Sequence, residues 1–63
     1  MIKTGRTYKV PNCSVYVRVL RISYQSDTKI RAKLSFEYKN GMVIEIKNYK
    51  LNPASIEHWV QVQ

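Results

Sequence analysis

Apolar and polar residues alternate along this chain with a period of two, most cleanly between Lys29 and Tyr38. Ile30, Ala32, Leu34, Phe36 and Tyr38 share one parity; Lys29, Arg31, Lys33, Ser35 and Glu37 share the other. Successive side chains of an extended chain point to opposite faces, so the pattern predicts a strand with one face in the core and one in water. Lys39-Asn40-Gly41 follows, a strong hairpin signal. A two-residue Asn-Gly turn would set Phe36 against Glu45 and carry a carboxylate onto the core face. A three-residue loop with Gly41 left-handed sets Tyr38 against Met42, Phe36 against Ile44 and Leu34 against Ile46. A slip of one residue turns every side chain to the other face, so the apolar pattern selects the longer loop, with a bulge at Gly41.

Upstream, Ser14 to Tyr24 is also rich in β-formers, but its phase changes. Val15, Val17 and Val19 share one parity, while Leu20, Ile22 and Tyr24 share the other. One extra residue near Val19-Leu20, a β-bulge that bends a long strand, accounts for the switch. A three-residue turn at Gln25-Ser26-Asp27 then leads into the next strand. It would set Tyr24 against Thr28 and Ile22 against Ile30 in the core. Arg6 to Val10 reads as a short first strand that stops at Pro11-Asn12. Near the end, Asn52-Pro53 places a capping residue before a proline, which predicts one helical or 3-10 turn over Pro53 to Glu57. Trp59, Val60 and Val62 form a short last strand.

Five strands, a bent second strand and a helical turn before the fifth make an order that resembles the SH3-like small β-barrel. That superfold includes KOW and Tudor domains and small archaeal chromatin proteins. The likeness spans about residues 5–62 and is one of topology, so no family's functional residues carry over. It implies an all-β fold: a five-stranded antiparallel barrel with one short helical or 3-10 turn before the last strand. An OB-like barrel is the alternative, less suited to so few strands in so short a chain. Such folds host nucleic-acid binders, peptide binders and structural modules alike, so function has to be read from the residues.

Sixty-three residues, 1–63, make a single domain with one small core, which a partner or a second copy would help to hold together. Hydrophobic content is 44%, ordinary for a globular chain. No apolar run approaches the roughly 18 residues of a membrane span, and no signal-peptide pattern follows the N-terminal lysine. The single cysteine, Cys13, has no internal disulfide partner. These features point to the cytoplasm.

Charge adds more. Eleven Lys and Arg against four Asp and Glu give a net +7, with an isoelectric point near 9.9. Such a field attracts nucleic acid, anionic lipid or an acidic protein face. A net charge of about 2–8 also serves solubility in a small domain, so the placement of the charges matters more than their sum. With the turn set at Gln25-Ser26-Asp27, Arg21 stands opposite Arg31 on the outer face, Arg18 falls near Lys33, and Lys29 sits at the hairpin end. Like charges facing each other destabilise a sheet, so a face that carries them is a candidate anion surface. The plain alternative is that long cations splay into water or guard an edge. Tyr16 shares the outer parity and could stack on a base; Tyr49, between Lys47 and Lys50, could do the same. Tyr8, Tyr24, Tyr38, Phe36 and Trp59 are expected in the core or at its rim. Trp59 beside Tyr8 or Tyr49 could line a peptide groove.

Catalysis needs converging titratable groups, and the candidates are Cys13, His58, Asp27, Glu37, Glu45 and Glu57. None sits in a catalytic motif. Cys13 reads as a small semi-buried thiol and His58 as a surface residue. One Cys and one His without ligand spacing make no zinc site, and two glycines make no phosphate loop. Glu37 and Glu45 fall on the outer face of one hairpin, offset, where they answer Lys33 and Lys47. The expected function is a non-catalytic, cofactor-free domain that binds a DNA or RNA backbone through Arg18, Arg21, Lys29, Arg31, Lys33 and Tyr16. A module docking an acidic protein surface, such as an accessory or phage-type factor, is the alternative. A domain that self-associates through a strand edge as a homo-oligomer is a third.

Overall fold

A computed structural model describes residues 2–63. Three long strands form a meander: β2 (Val15–Gln25), β3 (Ile30–Tyr38) and β4 (Val43–Leu51). The short β1 (Thr7–Lys9) pairs with β2, and β5 (Val60–Gln61) pairs with β1. The order is β4-β3-β2-β1-β5, every pair antiparallel. The sheet is open, with β4 and β5 as its two edges. A single helical turn, α1 (Pro53–Ile56), connects β4 to β5. Asn52 caps it: the side-chain Oδ1 accepts from Ala54 N at 2.9 Å, and Pro53 needs no acceptor at the first helical position.

The β3–β4 hairpin takes the three-residue loop that the apolar pattern demands. Gly41 has φ +88°, its N–H donates to Tyr38 O at 3.0 Å, and Tyr38 N donates to Met42 O at 2.9 Å. Phe36 faces Ile44 and Leu34 faces Ile46. On β2, Val19 pairs with Leu34 but Arg21 pairs with Lys33, so Leu20 is the extra residue expected near Val19-Leu20.

Two further shifts depart from the sequence reading. Ile22 pairs with Ala32 and Tyr24 with Arg31, which leaves Ser23 as a second extra residue; its hydroxyl donates to Arg31 O at 3.1 Å. On β4, Ile46 faces Leu34 and Tyr49 faces Ala32, so Lys47 and Asn48 together oppose Lys33. The β2–β3 turn is also longer than three residues. Gln25 pairs with Ile30, and Ser26 to Lys29 form the loop, closed by Ser26 N to Lys29 O at 2.9 Å. The Ser26 hydroxyl accepts from Lys29 N at 3.2 Å and favours this wider turn over one at Gln25-Ser26-Asp27. Consequently Tyr24 does not face Thr28 in the core; it is 50% exposed. Arg21 faces Lys33 rather than Arg31, and Arg18 faces Ser35.

The core lies on the inner face. Val17, Val19, Ile30, Ala32 and Leu34 have no exposed surface, and Ile2, Tyr8, Leu51 and Ile56 complete the cluster. Ile56 brings α1 over one side, where Tyr8 and Trp59 pack at 6.3 Å. Phe36 meets Tyr49 edge-on at 5.3 Å. Ile44 has the inward parity yet stays partly exposed, because no further strand follows β4.

Candidate nucleic-acid interface

The register sorts the outer face into rows that run across the strands. At one end, Lys9, Tyr16, Glu37 and Val43 form a row of mixed character. Next come Thr7, Arg18, Ser35 and Glu45. Arg21 and Lys33 follow, with Lys47 and Asn48 beside Lys33. At the far end Tyr24, Arg31 and Lys50 stand in line. The face is therefore graded, neutral near β5 and cationic toward the β2–β3 turn.

The bulges produce that gradient. A bulge lets two successive residues oppose one partner, which re-aims their side chains. On β4 it brings Lys47 and Asn48 to the same side, and with Arg21, Ser23 and Lys33 they line a shallow depression of about 370 Å³. On β2 the shift at Ser23 turns Tyr24 outward to meet Arg31. Lys29 Nζ lies 5.7 Å from the centroid of the Tyr24 ring, a cation–π distance. The cationic end thus combines point charges with a half-exposed aromatic surface.

Little negative charge offsets it. Lys33 Nζ lies 3.3 Å from Glu45 Oε1. Among the described residues the other ion-pair contact joins Glu57 to His58 at 3.4 Å, after α1. Arg21, Arg31, Lys47 and Lys50 have no carboxylate within ion-pair distance among the described residues. Four unpaired cations beside one another destabilise the sheet by mutual repulsion, and a bound anion would relieve it.

Of the residues expected at the interface, Arg18 and Arg21 are exposed, and Lys29, Arg31 and Lys33 are half-buried. Arg21, Arg31 and Lys33 come together in adjacent rows, with Lys29 beside Tyr24 in the turn. Arg18 stands one row away, opposite Ser35, and with Tyr16, Glu37 and Val62 it lines a separate depression of about 480 Å³. Tyr16, 41% exposed, belongs to that neutral end. Sequence reasoning left out Lys47, Lys50 and Tyr24. The signal for the lysines was present: Ile44 and Ile46 share one parity while Tyr49 and Leu51 share the other, the mark of an extra residue between them. Tyr49 itself lies on the inner face, at the rim, against Phe36.

Other candidate chemistry is sparse. Cys13 is exposed rather than semi-buried and lines a shallow pocket with Lys9, Ser14, Tyr16 and Lys39. Among the described residues no three His, Cys, Asp or Glu side chains gather as metal ligands would. Trp59 neighbours Tyr8, and with Ile2, Pro53, Ile56 and Glu57 they line a cleft of about 170 Å³, enough for one side chain. No helix among the described residues is long and apolar enough to cross a membrane. No protein-family model matches the chain, and neither a curated protein nor a solved structure matches it.

Proposed function

We propose that this chain is a small, non-catalytic module that grips a nucleic-acid backbone on the cationic end of its outer sheet face. The observation that carries the reading is the pair of rows Arg21–Lys33–Lys47 and Tyr24–Arg31–Lys50, answered by Glu45 alone. Cations spaced along neighbouring strands match a chain of phosphates better than a single small anion. Contacts of this kind fix position without reading bases, so sequence preference is weak. We assign the fold to the SH3-like group, as an open variant. The support is the shared β1, paired with β2 on one side and β5 on the other, and the helical turn just before β5. An exposed Cys13 suits the reducing cytoplasm, where we place the protein.

The test is fluorescence anisotropy with short labelled DNA and RNA across a salt series. Neutralising about three to five phosphates gives a log–log salt slope of roughly −2 to −4.5. Arg21→Glu combined with Arg31→Glu should abolish binding while the circular dichroism spectrum persists, since both side chains sit on the outer face. Absence of binding below about 100 μM at low salt, where attraction is strongest, overturns the proposal. An acidic peptide that binds the same face, lost in the same double variant, would then assign it to a protein partner.

A further inference from the structure

The outer edge of β4 presents an unprotected apolar segment. β4 is nine residues long and borders β3 on one side only. Natural edge strands are blunted by lysines, bulges or brevity. The second half of β4 has such devices: Lys47 and Lys50, and the bulge at Lys47-Asn48. β5, the other edge, has two residues. The first half of β4 lacks them. Met42, Val43 and Ile44 are exposed by 48%, 58% and 39%, and the one charge there, Glu45, is already tied to Lys33.

Hydrogen-bond parity identifies the free groups. Tyr38 N donates to Met42 O, so the Met42 carbonyl points toward β3, while its N–H donates to Asn40 Oδ1 in the loop. Antiparallel pairs alternate between bonded and non-bonded, so Ile44 and Ile46 turn their backbone polar groups toward β3. Val43 and Glu45 therefore aim their N–H and C=O groups away from the sheet.

We propose that this edge pairs with the same edge of a second copy, antiparallel about a two-fold axis through Ile44. The loop at Gly41 bounds the pairing on one side and the bulge at Lys47 on the other. Within that window the segment is self-complementary. Ile44 meets Ile44 of the second copy, and Met42 meets Ile46, all on the inner face. Val43 meets Glu45, and each such pair exchanges two backbone hydrogen bonds. Centring on Glu45 instead would set carboxylate against carboxylate, which is unfavourable. An isologous contact of this type closes on itself and does not propagate. The segment offers five residues, Met42 to Ile46, where a standard stable interface uses about 20–30 a side, so the association is weak. Two copies at +7 each also repel, so salt tightens the dimer. A nucleic-acid complex responds in the opposite sense.

Sedimentation velocity on the purified protein, free of nucleic acid, tests this. The weight-average mass should rise toward that of a dimer between about 20 μM and 1 mM, the range of weak complexes, and rise further at high salt. Val43→Pro removes one outward N–H while leaving the β3 ladder intact, and should remain monomeric throughout. Should that variant melt early, Ile44→Lys places two ammonium groups face to face on the axis and should have the same effect. A wild-type protein that stays monomeric at about 1 mM in high salt overturns the proposal. Self-association unchanged in both variants overturns it too, since the contact must then lie elsewhere. Capture of a foreign strand by a monomeric wild type would reassign the edge. Because no polyanion is present, failure here leaves the nucleic-acid reading to its own experiment.

Discussion

Lys33 Nζ sits 3.3 Å from Glu45 Oε1, reaching diagonally across the β3–β4 ladder, where Glu45 stands opposite Ser35. The contact ties one carboxylate of the outer face to the lysine at the centre of its cationic end. Both side chains are more than a third exposed, so the pair contributes at most about 1 kcal/mol to stability. On the proposed function, its larger effect is to hold one cation back from the nucleic acid.

Glu45→Gln should therefore free Lys33. Nucleic-acid binding is expected to tighten several-fold, and the salt slope to steepen by about 0.7–0.9, the contribution of one more phosphate contact. Urea denaturation should show little change. Unaltered affinity would mean that Lys33 lies outside the contact surface.

Tyr24 and Tyr16 make different predictions. If bases stack at the cationic end, Tyr24→Ala should weaken single-strand binding by about 1–3 kcal/mol, with duplex binding less affected. Tyr16→Ala should have the smaller effect, because Tyr16 lies in the neutral row with Glu37. Anisotropy titrations of both variants against the same oligonucleotide decide it; the reverse ranking would move the strand to the depression beside Arg18.

Gly41→Val should cost about 1–3 kcal/mol, measured by chemical denaturation. An added Cβ would meet nothing within 4 Å, so the cost comes from the φ of +88° and not from crowding. Gly41→Asn should be milder, as Asn12 shows by adopting φ +61° in this chain.

Leu34→Ala removes a fully buried side chain at the middle of β3, a strand paired on both sides. Such truncations cost about 2–5 kcal/mol. A domain of this length has roughly 3–9 kcal/mol in total, so the variant should be largely unfolded near physiological temperature, as thermal melting would show.

Much of this architecture was legible because apolar parity records which face a residue occupies. Phe36, Ile44, Leu34 and Ile46 dictated the loop at Lys39–Gly41, and Val19-Leu20 revealed the first bulge. The β2–β3 turn left no such trace. Its width is set by the Ser26 hydroxyl, and the extra residue at the second shift, Ser23, is itself polar and carries no apolar parity. Leu20, Ile22 and Tyr24 therefore suggested a buried Tyr24, where the structure has an exposed one. The same error displaced Arg21 from Lys33 to Arg31. That the face would be basic could be counted in advance. Which cations share a row depended also on the shifts at Ser23 and at Lys47-Asn48, whose residues are polar or charged. Closure of the sheet rests on β4 and β5 meeting, and short-range alternation cannot report on that.

The β1–β5 pairing, Tyr8 with Gln61 and Lys9 with Val60, joins opposite ends of the chain, while β2, β3 and β4 are linked by hairpins of a few residues. Closing a long loop costs more entropy than closing a short one, and non-local pairing is slow. The meander should accordingly assemble first, with β1, α1 and β5 docking onto it afterwards, and amide exchange should be slowest in β3. Arg21, Arg31, Lys33, Lys47, Lys50 and Tyr24 all belong to the meander. On a ribosome, the cationic surface would take shape as soon as Leu51 clears the exit tunnel, ahead of the last strand and the finished core.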